Sequence, residues 1–109
     1  MKRGDVYWTE FGPPYGNRPA VILTRDAGLG VLNSVTVAPC TTRERRSPTW
    51  VRLTEADGMP GDSWVNLDVI QTVVAGALVD FVCSLPQERV AEVGGAARFA
   101  LQLDTPPEL

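Results

Sequence analysis

Two groups of polar side chains in this sequence are suited to chemistry on a phosphate. Arg18 opens an apolar run, and Thr41, Thr42 and Arg43 follow another. Each group lies where a predicted strand meets a loop, so the sheet can hold the side chains rigid while the loop leaves them accessible. A guanidinium offers a planar fork of donors that suits a phosphate. A structural role also fits, with Arg18 solvating a strand end and Thr41 supplying a turn hydroxyl.

A basic segment follows directly and carries Arg43, Arg45 and Arg46 between two predicted strands. Three guanidinium groups on one short loop form an electropositive patch, although such a run can simply be a solvated loop. The neighbouring Trp50 adds a stacking surface and the threonines add hydroxyl donors. Single-stranded nucleic acids favour this combination, so the segment is predicted to bind one.

The segment 12–17, rich in glycine and proline, leads into Arg18. It could form a lid whose Tyr15 stacks on a base, with Asn17 also contacting the substrate. Alternatively, it is a rigid turn that carries an exposed tyrosine.

The side chains that are missing narrow the possible mechanisms. The chain contains no histidine, which excludes Ser-His, Cys-His and His-pair acid-base catalysis. Cys40 and Cys83 fall short of the four ligands of a structural zinc, so neither a metal nor a cofactor is expected. The two cysteines could form a disulfide, but no export signal is apparent, and free buried thiols are therefore favoured.

A length of 109 residues, with 44% hydrophobic and 21% charged, predicts one domain spanning 1–109. The net charge of −3 hides a split, because residues 1–54 carry eight basic and four acidic groups and residues 55–109 carry two and nine. The basic half could face a polyanion, or the surface could be dipolar but inert. Neither a membrane span nor a signal peptide is apparent, so a cytoplasmic location is expected.

Short apolar and β-branched runs separated by turn residues must position these groups. Their spacing predicts a small antiparallel barrel or sandwich. In the run 49–53, alternation places Val51 and Leu53 on a buried face and Trp50 and Arg52 on the opposite face. The predicted strands are 6–8, 20–24, 35–38, 49–53, 63–67 and 77–82.

Only the last quarter of the chain is predicted to be helical. Ser84 is expected to cap the helix and Gln87 to complete a capping box. Gly94 and Gly95 predict a close packing contact or a break, and residues 105–108 are expected to end the helix in a frayed tail. The side chains expected to dock on the sheet are Val90, Val93, Ala97, Ala100 and Leu101.

Five sequence blocks in this order resemble the MazF/PemK (Kid) toxins of bacterial toxin-antitoxin modules, and the resemblance covers residues 3–103. It implies a mainly β fold, a small SH3-like barrel of the CcdB/MazF type with a C-terminal α-helix. It also implies a homodimer that arrests growth by metal-independent, sequence-specific cleavage of single-stranded RNA, especially mRNA. The blocks are RGDVYW, RPAVIL, VTVAPCTT, PTWVRL and DSWVNLDVIQTV.

By this resemblance, Arg18 matches the catalytic arginine of the family, Thr41 matches its catalytic threonine, and Asp68 matches a functional aspartate. The implied reaction is attack of an RNA 2′-hydroxyl on the adjacent phosphate, which leaves a 2′,3′-cyclic phosphate and a 5′-hydroxyl. The chain departs from the family at Asn66 and Gln71, where relatives of the Kid type carry arginines, and in a shortened loop before Arg18.

The resemblance further implies a MazE-like antitoxin whose acidic tail occupies the RNA groove and contacts Arg18 and the 43–46 loop. An alternative function is a non-catalytic nucleic-acid-binding or gyrase-poisoning module on the same barrel. The departures at Asn66 and Gln71 and the acidic pI favour this alternative, whereas the retained Arg18 and Thr41 oppose it.

Overall fold

The computed structural model describes residues 1–104 and contains a seven-stranded antiparallel sheet followed by one α-helix. The predicted mainly β fold with a C-terminal helix is confirmed, and all six predicted strands are present. The elements are β1 (Asp5–Glu10), β2 (Asn17–Ile22), β3 (Ser34–Thr41), β4 (Trp50–Leu53), β5 (Ser63–Asn66), β6 (Gln71–Val74), β7 (Leu78–Ser84) and α1 (Gln87–Leu101).

The sequence analysis missed β6. This strand has four residues, and its exposed Thr72 and Val74 alternate with the half-buried Gln71 and Val73. A run this short with a polar start gives little period-2 signal, so its pairing with β3 is what defines it as a strand. Within residues 1–104, no helix is both long enough and apolar enough to span a membrane.

Strand β3 is the centre of the sheet and changes partners along its length. The strands run in the order β4-β5-β3-β2-β1-β7, and β6 pairs with the first half of β3. The middle of β3 pairs with β2, from Val37 opposite Ile22 to Pro39 opposite Ala20. The last residues of β3 pair with β5 instead. The sheet is therefore open between β2 and β3 beyond Pro39.

The central strands are buried on both faces. Val21 and Ala38 belong to a core shared with α1, whereas Ala20, Ile22 and Val37 belong to a second core on the opposite face. Burial on both sides explains why β2 and β3 read as continuous apolar runs. Strand β4 is buried on one face only, as its alternation predicted.

The predicted helix cap is wrong. Ser84 is the last residue of β7, and its hydroxyl donates a 2.7 Å hydrogen bond to a carboxylate oxygen of Asp5. The chain stays extended through Leu85, whose backbone N–H donates to the carbonyl of Gly4. Pro86 disfavours a helical conformation in the residue before it, so α1 begins at Gln87.

Helix α1 packs on the sheet mainly through Val93 and Ala96, which are buried. Three of the predicted docking residues, Val90, Ala97 and Ala100, pack partly buried against the same core. Leu101 is 55% exposed, so its predicted docking is wrong. It is the last residue of the helix and contributes to neither core.

The helix continues without a break through Gly94 and Gly95. A methyl group at Gly94 would lie 3.5 Å from the guanidinium of Arg3, which is an ordinary contact, and Gly95 faces open space. Packing therefore explains neither glycine. The predicted frayed tail, residues 105–108, lies outside the described residues.

Candidate functional site

A cleft of about 300 Å³ opens where the β2–β3 ladder ends. The register that pairs Ala20 with Pro39 places Arg18 across from Thr41, two positions beyond the last pair. At this point β3 pairs with β5, which leaves a gap on the β2 side. The lining residues are Tyr15, Arg18, Pro39, Cys40, Thr41, Arg43, Trp50, Asn66 and Val69.

Arg18 is anchored by its neighbours but keeps its charge available. Strand β2 is held there by β1, with Arg18 opposite Thr9. The Nε atom of Arg18 donates a 2.9 Å hydrogen bond to the carbonyl of Tyr15, and the guanidinium lies 5.9 Å from the centre of the Tyr15 ring. Arg18 forms no salt bridge within residues 1–104. Its charge is therefore free to bind an anion in the cleft.

Thr41 is the last residue of β3 and is held by pairing with Trp64 of β5. Its hydroxyl oxygen accepts a 3.2 Å hydrogen bond from the backbone N–H of Arg43. Because the hydroxyl accepts in this contact, its own proton remains available to donate. The cleft thus combines a guanidinium and a hydroxyl donor from two different strands.

Cys40 contributes no reactive group to the cleft. Burial and, to a smaller extent, the nearby Cys83 raise the pKa of the thiol to about 12. The side chain therefore remains a neutral thiol at physiological pH and serves as neither a base nor a nucleophile. Both cysteines are free and buried, which confirms the prediction. Residues 1–104 hold no cluster of three or more His, Cys, Asp or Glu side chains suited to a metal ion.

The structure brings together four of the predicted site residues, Tyr15, Arg18, Thr41 and Arg43, in the cleft lining. Asn17 is exposed at the start of β2 outside this lining. Thr42 borders a neighbouring apolar pocket of about 160 Å³, which is also lined by Trp8, Pro19 and Met59.

Three further predicted residues lie outside the lining of the cleft. Arg45 lies over the ring of Trp50 at 5.6 Å, and the exposed Arg46 pairs with Glu44 at 3.5 Å. The Asp68 carboxylate is bound to protein, because it accepts a 2.6 Å hydrogen bond from the hydroxyl of Thr49.

Two more residues line the cleft: Trp50, predicted only as a stacking surface beside the basic segment, and Asn66, predicted only as a departure from the family. They face each other in the β4–β5 ladder, on its outward side. Alternation within each strand could indicate that they point outward. The pairing of β4 with β5 that brings them together, however, is a non-local feature.

Comparison with known proteins places this geometry in context. The model of the family described as "PemK-like, MazF-like toxin of type II toxin-antitoxin system" matches residues 2–101. The chain is 37% identical over 100 residues to the probable endoribonuclease MazF5 of Mycobacterium tuberculosis, covering 91% of each chain.

Comparison with solved structures agrees with this family match. An endoribonuclease in complex with its cognate antitoxin, from a mycobacterial species, superimposes with a TM-score of 0.86 at 30% identity, covering 97% of this chain and 99% of that one. The Mycobacterium tuberculosis toxin MazF-mt6 gives a TM-score of 0.83 at 29% identity, covering 92% and 98%. The fold is that of these toxins, as the sequence resemblance implied.

Proposed function

The chain belongs to the PemK-like and MazF-like toxins of type II toxin-antitoxin systems. We propose that it is an endoribonuclease that cleaves single-stranded RNA in the cleft lined by Arg18 and Thr41. The observation that carries this proposal is the cleft itself. A guanidinium without a salt bridge in the described chain and a hydroxyl donor line it from two neighbouring strands. The relatives that cover almost the whole chain are named endoribonucleases.

The chemistry that suits this pair of donors is an internal transfer at phosphorus. The RNA 2′-hydroxyl loses its proton and attacks the adjacent phosphate, the bond to the 5′-oxygen breaks, and that oxygen is protonated. The products are a 2′,3′-cyclic phosphate and a 5′-hydroxyl. Charge grows on the non-bridging oxygens during this step, and Arg18 and Thr41 would donate hydrogen bonds to them.

The residues that line the cleft limit which groups could take the proton from the RNA 2′-hydroxyl. Among residues 1–104, its lining contains no carboxylate, and the thiol of Cys40 stays protonated. A guanidinium is a poor base at neutral pH. Most of the acceleration is therefore assigned to alignment of the 2′-hydroxyl with the phosphate and to stabilisation of the developing charge.

The remaining predicted residues are proposed to bind the RNA on either side of the scissile bond. Tyr15 offers a ring for base stacking within the cleft, and Arg43 offers a charge for a neighbouring phosphate. Asn17 and Thr42 extend this contact surface. Arg45, Arg46 and Asp68 would complete it outside the lining of the cleft, and these contacts would select the RNA sequence.

The proposal is tested by incubating the purified protein with a long single-stranded RNA in excess EDTA and mapping new 5′ ends by primer extension. Discrete ends are expected with the parent and with Arg25→Ala, an exposed arginine outside the cleft. They are expected to disappear with Arg18→Ala. Intact RNA with the folded parent, or unchanged cleavage by Arg18→Ala, would contradict the proposal.

An antitoxin is the second proposed partner, since a similar endoribonuclease has been solved in complex with its cognate antitoxin. We propose that a MazE-like antitoxin lays an acidic segment in the cleft, where it imitates RNA and contacts Arg18 and the 43–46 loop. This association would be sensitive to salt. Reversing Arg45 and Arg46 to glutamate should weaken it, and unchanged affinity would contradict this arrangement.

A homodimer is proposed as the assembled form. Val74 of β6 and Val79 and Phe81 of β7 are exposed by 69%, 48% and 56%. Strand β7 is also the last strand in the order of the sheet. Analytical ultracentrifugation should detect a dimer that Phe81→Glu weakens.

A further inference from the structure

The outward face of the β4–β5 ribbon carries two tryptophans, and each is accompanied by an arginine. The guanidinium carbon of Arg45 lies 5.6 Å from the centre of the Trp50 ring, and that of Arg52 lies 5.9 Å from the centre of the Trp64 ring. We call these four residues, Arg45, Trp50, Arg52 and Trp64, the tryptophan-arginine strip.

The strand register explains how the strip is built. Arg52 lies directly opposite Trp64, and Trp50 lies opposite Asn66 in the same ladder. Trp50 and Trp64 are therefore diagonal neighbours on one face, within reach of adjacent ring systems. The residues that alternate with them, including Val51 and Val65, fill the core on the other face. Both tryptophans are half-buried on the outward face, and neither belongs to the hydrophobic core.

The strip is continuous with the cleft. A groove of about 350 Å³ runs between the 43–47 loop and the ribbon. Trp50 lines both this groove and the cleft that holds Arg18 and Thr41. RNA that leaves the cleft past Trp50 would therefore meet this groove next. The lining of the groove is Glu44, Arg45, Arg46, Ser47, Trp50, Arg52 and Trp64.

Charge along the groove favours a polyanion. Two carboxylates accompany its arginines, Glu44 beside Arg46 at 3.5 Å and Asp62 beside Arg52 at 2.8 Å, and all four side chains are more than half exposed. Exposed pairs of this kind contribute little and can exchange for a phosphate. Arg45 has no carboxylate partner in the described part of the chain.

We propose that the tryptophan-arginine strip binds the single-stranded RNA that continues out of the cleft, with bases stacked on Trp50 and Trp64 and phosphates on the arginines. This inference rests on the proposed function. Aromatic faces beside arginines suit unpaired bases of any sequence, whereas an acidic peptide would need only the arginines. The enzyme then gains affinity from unpaired nucleotides on one side of the scissile bond.

The test compares RNA substrates of two lengths. A cleavage site mapped on long RNA is synthesised as a short oligonucleotide that spans only the site, and again with unpaired extensions on the 5′ or the 3′ side. For the parent, one extension should raise kcat/KM. In Trp64→Ala, the increase in kcat/KM that the extension gives should be about ten-fold smaller, whereas Trp64→Phe should keep most of this increase. Phe99→Ala, which removes an exposed aromatic from α1, should behave as the parent.

Failure of the inference and failure of the proposed function give different results. If the parent cleaves RNA and Trp64→Ala keeps the whole gain from the extension, the strip is wrong and the function stands. If the folded parent cleaves neither substrate, the function fails.

A second measurement needs no variant. Binding of an uncleavable 2′-O-methyl RNA that carries the extension should quench tryptophan fluorescence more than the short form does, and equal quenching would overturn the proposal. If Trp64→Ala weakens binding of a polyglutamate peptide but not of the extended RNA, the strip belongs to a protein partner instead.

Discussion

Arg18 of β2 lies across from Thr41 of β3, two residues beyond the last pair of the ladder that joins these strands. Each residue is fixed by a different neighbour, since Arg18 pairs with Thr9 of β1 and Thr41 pairs with Trp64 of β5. The change of partner along β3 therefore creates the cleft and also holds rigid the two groups that line it. Such rigidity suits donors that must be in place before charge develops.

We expect the cleavage rate to depend more on the hydroxyl of Thr41 than on the volume of this side chain. Thr41→Val removes the donor while keeping the volume, and should lower the cleavage rate by about 10² to 10³, as the loss of one donor of this kind typically does. Thr41→Ser should recover most of this loss. Single-turnover cleavage of a mapped RNA site measures both effects.

A matched control for Thr41 lies on the same strand. The hydroxyl of Thr36 bonds that of Thr72 at 2.8 Å, outside the cleft. Thr36→Val should therefore cleave RNA like the parent. Equal losses at the two positions would indicate a general effect on β3 rather than a role for the Thr41 hydroxyl.

Cys40 lies in the cleft lining, but we expect it to be chemically inert. With a pKa of about 12, almost none of the thiol is ionised at pH 8, whereas an ordinary cysteine is partly ionised there. Iodoacetamide should label it only slowly in the folded protein and rapidly after unfolding, as followed by mass spectrometry. Cys40→Ala should retain cleavage. Rapid native labelling with parallel loss of activity would show that Cys40 takes part in the reaction.

Much of the fold could be predicted because local patterns determine it. The six predicted strands are each marked by a short apolar or β-branched run between turn residues. The predicted cap failed because Ser84 found a partner in Asp5, 79 positions away in the chain. Strand β6 was missed because its pairing with β3, rather than its composition, defines it. Contacts between distant segments lie outside what a local pattern records.

The candidate site likewise combines features that a local pattern predicts with features that depend on contacts between distant segments. The placement of Arg18 and Thr41 at strand ends was predicted from sequence and is confirmed. The addition of Trp50 and Asn66 to the same cleft depends on the β4–β5 register, which no single segment encodes. The contact of Asp68 with Thr49 likewise joins two segments that are 19 residues apart in the sequence.

The Thr49 hydroxyl, which donates 2.6 Å to the Asp68 carboxylate, should tie the start of β4 to the 3₁₀ helix Leu67–Val69. Thr49 is buried and Val69 lines the cleft, so this bond positions one of its walls. Thr49→Val and Asp68→Ala should each lower the free energy of unfolding by about 1 kcal/mol. Urea denaturation measures this loss.

Kinetics of the same variants distinguish a positioning role for Asp68 from contact with RNA. If Asp68 acts through Thr49, the two single variants and the double variant should raise KM by similar amounts. If Asp68 itself contacts RNA, Asp68→Ala should raise KM well beyond the effect of Thr49→Val.

Asp57 and Arg89 should make the attachment of α1 to the 3₁₀ helix Glu55–Asp57 dependent on pH. The Asp57 side chain is 4% exposed, and its carboxylate accepts hydrogen bonds from Nε of Arg89 at 3.0 Å and from the backbone N–H of Thr54 at 2.9 Å. Burial alone would raise the pKa of Asp57, but the bonds from Thr54 and Arg89 hold it below its ordinary value. The folded state therefore favours the ionised carboxylate. The stability that this gives is complete above about pH 4 and is lost as the pH falls through the lowered pKa.

Arg89→Ala should accordingly lower the free energy of unfolding by about 2 kcal/mol at pH 7, because it leaves the buried Asp57 carboxylate without its charged partner. Glu92→Ala is the control, since it removes only the exposed second partner of Arg89 and should cost about 0.5 kcal/mol or less. Urea denaturation at about pH 7, 5 and 3 should show the difference between the parent and Arg89→Ala shrinking at the lowest pH, as the pH falls toward the lowered pKa of Asp57. A difference that stays constant over this range would mean that Arg89 stabilises α1 by packing rather than through its charge.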